Sequence, residues 1–150
     1  MKLLLIGRPN VGKSSIYNIL INKKNNIIHR DEGTTRDWHQ GVISLEKKLY
    51  IYDTPGIVSY SNKKNIQLNN KLVELLVPKI DYFLFVNEYK SISNSQDLFI
   101  LEWIRSFNKK IILLINKKDN KKEEFNNEFY KFGIQDIFFY HVHIVWVLII

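Results

Sequence analysis

Cysteine is absent from the 150 residues. The chain therefore has no disulfide framework, no thiolate metal site and no cysteine nucleophile, and a reducing compartment, the cytoplasm, is the natural expectation. Alanine is missing too and arginine is scarce, whereas 18 Lys, 16 Asn and 22 Ile fill 56 of the positions. All three types have A/T-rich codons, so biased coding accounts for the formal net charge of +7 more simply than a surface selected for RNA does. No long apolar run opens the chain. Met1 to Ile6 is interrupted at once by Gly7, Arg8, Pro9 and Asn10, too early for a signal peptide or a membrane span. None of the four histidines stands at metal-ligand spacing with acidic neighbours, so zinc is not indicated. What is abundant is apolar material, 45% hydrophobic and 13% aromatic residues, enough to offset chain entropy in one globular domain.

Short apolar runs alternate with longer stretches of helical periodicity, the pattern of a mostly parallel sheet with helices on both faces. Lys2 to Ile6, Val42 to Glu46, Leu49 to Tyr52, Tyr82 to Val86 and Ile111 to Ile115 read as five strands, the second and third forming a hairpin around Lys47-Lys48. Lys13 to Ile21, Ile66 to Val77, Gln96 to Phe107 and Glu123 to Phe132 read as helices, the second stopped by Pro78. Asn22 to Gln40 and Thr54 to Asn65 lack periodicity, and loops of that length in a small domain tend to be functional.

Gly7-Arg8-Pro9-Asn10-Val11-Gly12-Lys13-Ser14 fits G-x-x-x-x-G-K-[ST] and lies between a predicted strand and a predicted helix, as a phosphate loop requires. Glycines let the backbone wrap closely, so that N–H groups and the helix N-terminus face a phosphate chain. Lys13 adds positive charge at the β- and γ-phosphates, the Ser14 hydroxyl can ligate Mg²⁺, and Ser15 completes the phosphate-binding set. Asp53-Thr54-Pro55-Gly56 follows the third strand, placing a carboxylate to hold Mg²⁺ through water and the Gly56 N–H within reach of a γ-phosphate. Asn116-Lys117-Lys118-Asp119 follows the last strand. A carboxylate there accepts from N1–H and the exocyclic amine of guanine, a pair that adenine lacks, and sites of this kind discriminate by roughly 10⁴ to 10⁵. Thr34 and Thr35 in Gly33-Thr34-Thr35-Arg36-Asp37 lie in the first long loop, where a hydroxyl that completes the Mg²⁺ shell only beside a γ-phosphate would make the loop a switch.

These four motifs occur in the order and spacing of the translation-factor-related GTPases. The chain most resembles the first GTPase domain of the EngA (Der) double-GTPase family, from Lys2 to about Phe139, with support from Phe85-Val86-Asn87-Glu88-Tyr89-Lys90 and Glu128-Phe129-Tyr130-Lys131-Phe132-Gly133. The resemblance implies an α/β P-loop NTPase, a Ras-like three-layer sandwich, that hydrolyses GTP to GDP in assembly of the large ribosomal subunit. It implies Mg²⁺ as cofactor, GTP and GDP as ligands and the ribosome or rRNA as partner, with neither membrane nor DNA. By position, Asn10 to Ser14 would cradle phosphates, Ser14 and Thr35 would ligate Mg²⁺, Gly56 would sense the γ-phosphate, and Asn116 with Asp119 would select guanine. Lys13, Thr35 and Gly56 are then the expected catalytic set. Ile57 occupies the position where Ras-like enzymes place a water-orienting glutamine, so catalysis must differ. Asn10 matches the asparagine through which related enzymes bind K⁺ in place of an arginine finger. A nucleotide-binding module or inactive remnant without turnover is the alternative. So is the tRNA-modifying MnmE type, which shares Gly-Thr-Thr-Arg-Asp but sits behind an N-terminal domain for which these residues leave no room.

After Phe139, relatives continue with a Ser-Ala pair and a final helix. Here Tyr140 to Ile150 contains no Lys and no Asn, although these two types supply 34 of the 150 residues. The expected organisation is a GTPase domain over 1–139, lacking the final strand and helix, followed by an atypical hydrophobic tail at 140–150 that a frameshift or altered gene end would explain. A buried last strand is the other reading of that tail.

Overall fold

Leu3, Leu4, Leu5 and Ile6 are all shielded from solvent, which explains why β1 (Lys2–Ile6) is a continuous apolar run and not an alternating one. The computed structural model describes residues 1–22, 27–29, 38–43, 48–57, 63–90, 94–117 and 127–139. Around β1 assemble β2 (Ile27–His29), β3 (His39–Ile43), β4 (Leu49–Asp53), β5 (Tyr82–Glu88), β6 (Lys110–Asn116) and β7 (Ile137–Phe139). They form one sheet of seven strands in the order β2-β3-β4-β1-β5-β6-β7. β1 pairs parallel with both β4 and β5, and β6 and β7 continue the parallel array, whereas β2 and β3 are antiparallel.

Among the described residues three α-helices, α1 (Lys13–Asn22), α2 (Lys63–Leu76) and α3 (Ser95–Arg105), complete the layers. Because strand side chains alternate, β1 feeds two cores. Leu3 and Leu5 pack with Ile16, Tyr17, Leu20 and Ile21 of α1. Leu4 and Ile6 pack with Val73 and Leu76 of α2 and with Ile100, Leu101 and Ile104 of α3. The chain runs from β1 to one side through α1 and returns on the other side through α2. The turn after β1 is thus the point where the strand order reverses, the crevice where open α/β sheets bind ligands.

Several boundaries differ from the sequence reading. The aperiodic stretch Asn22 to Gln40 contains the three-residue β2, too short for alternation to register, and the first two residues of β3. The hairpin therefore starts earlier than Val42, with His39 opposite Asp53 and Ile43 opposite Leu49. The expected helix Glu123 to Phe132 is, over Asn127–Phe132, a 3₁₀ segment. Phe129 and Phe132 are both fully buried, and their spacing of three residues suits a helix of three residues per turn. Pro78 does stop α2, inside the 3₁₀ turn Val77–Lys79. The expectation of a missing last strand is corrected at the sheet edge: the apolar run Ile137–Phe139 pairs with Leu113–Ile115. The tail 140–150 lies outside the described residues. No helix among the described residues is long and apolar enough to cross a membrane.

Candidate functional site

The loop after β1 depends on residues without side chains. Gly7 has φ +152° and Gly12 φ +99°. A Cβ on Gly7 would strike the Val86 carbonyl of β5, and one on Gly12 would strike the Asn116 amide. Asn10 also has a left-handed backbone, φ +65°, a conformation that asparagine tolerates better than most residues. The loop feeds directly into α1, whose first bond runs from Ile16 N–H to Gly12 C=O at 2.9 Å. The helix N-terminus therefore faces the loop's interior.

Lys13 is buried, and its Nζ donates to the carbonyls of Gly7 at 3.1 Å and Arg8 at 2.7 Å. Its ammonium is thus folded back across the loop it belongs to. Burial lowers the Lys13 pKa from 10.5 to about 8, with the nearby Asp53 charge opposing the shift. Asp53, at the end of β4, is buried and its pKa is raised by desolvation, against hydrogen bonding from Ser14 and the charges of Lys13 and His39. Its Oδ1 finds no hydrogen-bond partner among the described residues. A hydroxyl and an under-satisfied carboxylate are hard oxygen donors, and so fit a magnesium ion.

Beyond Asp53, Thr54 Oγ1 donates to Leu5 C=O at 2.8 Å and pins this segment to β1. Gly56 lies against the phosphate loop so closely that a Cβ would stand 2.5 Å from both the N and the Cα of Pro9. Ile57 N–H then donates to Gly7 C=O at 3.1 Å, and its side chain is buried, 1% exposed. Two of the predicted motifs therefore form one surface at the carboxyl ends of β1 and β4.

The third motif joins them from β6. Asn116 Nδ2 donates to Val11 C=O at 2.8 Å, and Lys117 Nζ donates to Asn10 C=O at 2.8 Å. Lys117 takes a left-handed φ of +59° and also pairs with Glu88 at 3.2 Å. Asn116 C=O accepts from Tyr89 N–H at 2.9 Å, which fixes the turn after β6 to the end of β5. Lys118, Asp119, Thr34 and Thr35 lie outside the described residues.

Sequence reasoning missed the contribution of α3. Arg8, expected as a phosphate-loop contact, sends its side chain away from the loop: Nε donates to Asp97 Oδ1 at 2.7 Å, and Nη2 lies 3.5 Å from Asn87 Oδ1. Asp97 is wholly buried in the first turn of α3. Desolvation raises its pKa while Arg8 opposes that shift. Its neighbour Gln96 donates from Nε2 to Ile57 C=O at 3.1 Å. An acid in a helix's first turn ordinarily reads as a surface residue complementing the dipole; the one clue was the spacing of Asp97 with Ile100, Leu101 and Ile104, which puts it on the buried face.

Comparison with known proteins agrees with this geometry. The family described as "50S ribosome-binding GTPase" matches residues 2–117. GTPase Der of Nitratiruptor sp. is 39% identical over 139 residues, 91% of this chain but 30% of that protein. The chain thus spans about a third of the length of the curated relatives it matches. Among solved structures, Aquifex aeolicus Era bound to GDP·AlF₄⁻ superposes with a TM-score of 0.75 at 28% identity, covering 94% of this chain and 50% of that one. Era in complex with MgGDPNP and nucleotides 1506–1542 of 16S ribosomal RNA gives 0.74 at 28% identity, with the same coverage. With its phosphate loop, its Asp-Thr-Pro-Gly segment and its Asn116 turn meeting at one end of a Ras-like sheet, the chain belongs to the 50S ribosome-binding GTPase family.

Proposed function

We propose that residues 1–139 form a domain that binds GTP and GDP with Mg²⁺ and hydrolyses GTP to GDP and phosphate, as a switch in assembly of the large ribosomal subunit. The observation that carries this reading is the joining of the Asn116 side chain to the phosphate loop at Val11: the residue that opens the segment suited to guanine is tied directly to the segment suited to phosphate. The loop from Gly7 to Ser15 receives the phosphate chain, Lys13 keeping its ammonium on the Gly7 and Arg8 carbonyls and directing its remaining N–H toward the β- and γ-oxygens. Asp119, with Asn116 ordering the turn before it, takes the guanine edge; Lys117 and Lys118 flank the base.

Ser14, Asp53 and Thr35 would hold Mg²⁺, which when bound neutralises charge on the phosphate oxygens. Gly56 N–H reports the γ-phosphate, and Thr54 and Pro55 hold it in place. Ile57 has no group with which to orient water and is buried, so catalysis does not follow the glutamine route. K⁺ held by Asn10 would supply positive charge at the phosphates in place of an arginine finger, making turnover slow and salt-specific. The buried Ile57 also favours a second reading, nucleotide binding without turnover. Single-turnover release of phosphate from bound GTP in KCl separates the two: release of one phosphate per chain supports the enzyme, and retention of intact GTP supports the binding module. The family's description as 50S ribosome-binding and the Era complex with 16S ribosomal RNA support the ribosome as the partner, and co-sedimentation with large ribosomal subunits in GTP but not GDP tests it.

A further inference from the structure

A short charge-assisted contact ties the phosphate loop to a residue that belongs to none of the nucleotide motifs. Arg8 is gripped at both ends. Its carbonyl accepts from Lys13 Nζ at 2.7 Å, and its guanidinium donates to Asp97 at the same distance, with side-chain exposures of 13% for Arg8 and 0% for Asp97. A charge-assisted bond in a dry setting is short and directional. Asp97 shares the buried face of α3 with Ile100, Leu101 and Ile104. An apolar residue would pack there without the cost of desolvating a carboxylate, so a purely cohesive role does not account for an acid at this place. Asn87 adds a second hold: its Oδ1 faces Arg8 Nη2 and accepts from Glu88 N–H at 2.7 Å, which fixes the amide at the end of β5.

We propose that Asp97 is a positioning residue of the nucleotide site: through Arg8 it fixes the carbonyl against which Lys13 is set, and so determines how the loop closes on phosphates. This rests on the reading of residues 7–14 as a phosphate loop. Asp97 itself touches no nucleotide. Its effect falls on the β-phosphate region that GDP and GTP share, and leaves base selection, built on β6, unaltered. Gln96 beside it holds Ile57 C=O, and Ile57 N–H holds Gly7 C=O. Successive residues of α3 thus brace the phosphate loop and the Gly56 segment together, and a shift of α3 moves both.

The test measures Kd for GDP and GTP, with Mg²⁺, on the wild-type chain, D97N, R8K and the double variant, each with a thermal melt and an ATP competition. Each single variant is expected to weaken GDP and GTP by the same factor, about tenfold. The double variant should be no weaker than either single one, with ATP still excluded. A lower melting temperature with Kd within twofold of wild type would make Asp97 merely structural and overturn the proposal. So would additive losses in the double variant. Should D97N not fold, R8K decides alone: weakened binding at an unchanged melting temperature supports the proposal, and unchanged binding refutes it. A wild-type chain that binds no GDP overturns the nucleotide reading and this one with it, whereas a binding wild type with an indifferent R8K sinks only this one.

Discussion

Asn116 and Val11 are separated by 105 positions in the chain and joined by one hydrogen bond of 2.8 Å, from the Asn116 amide to the Val11 carbonyl. The same amide is what a side chain on Gly12 would strike. This contact ties Asn116, which opens the segment proposed to read the base, to the phosphate loop. Replacing Asn116 by Ala leaves the buried Val11 carbonyl without its donor, at a cost of about 1–3 kcal/mol. A lower melting temperature, together with weaker binding of both GDP and GTP, is the expected result; a fall in stability alone would mean that the bond does not organise the site.

Lys13 gives the site a pH dependence with two opposite signs. Its pKa is about 8 in the folded chain against 10.5 for an unburied lysine. Between those values the unfolded chain binds more protons, so the nucleotide-free protein gains stability from this residue as pH rises from about 8 to 10.5. Below about pH 8 the buried ammonium is a burden on folding, and nucleotide affinity runs the other way, because only the charged form attracts phosphate. Titrations of GDP from pH 7 to 9 should show affinity level up to about 8 and then weakening toward tenfold per unit. The K13Q variant should bind poorly throughout, with no inflection.

Gly56 stands against the backbone of Pro9 with no room for a methyl group. Gly56→Ala must push the Asp-Thr-Pro-Gly segment and the phosphate loop apart, and displacements of that order at a reacting centre cost about 10²-fold in rate. Single-turnover GTP cleavage should fall by that factor, with GDP affinity much less affected. Equal losses in both would place the damage in the loop's fold instead.

Replacing NaCl by KCl is expected to raise the rate of GTP cleavage, and Asn10→Ala is expected to abolish that difference while leaving GDP bound. Equal rates in the two salts would remove K⁺ from the mechanism.

The residues that make the site were legible in the sequence wherever the chemistry is local. Gly7, Gly12, Lys13 and Ser14 declare themselves because a loop that wraps phosphate needs those types at that spacing beside a strand and a helix. The central strands were equally plain, since β1, β5 and β6 are buried on both faces and carry unbroken apolar runs. The pieces that escaped depend on tertiary context. β2 is three residues long and takes its identity from pairing with β3. Phe129 and Phe132 fit a helix of either pitch until both must enter one core. Asp97 looks like a solvated acid in a helix's first turn until Arg8, 89 positions away, is seen to meet it.

The claim on which the rest depends is that this end of the sheet is a guanine nucleotide site, and calorimetric titration of the folded chain with GDP in the presence of Mg²⁺, followed by challenge with ATP, tests it most directly. The account predicts one GDP bound per chain and no displacement by excess ATP. Absence of heat with GDP, or full displacement by ATP, would contradict it.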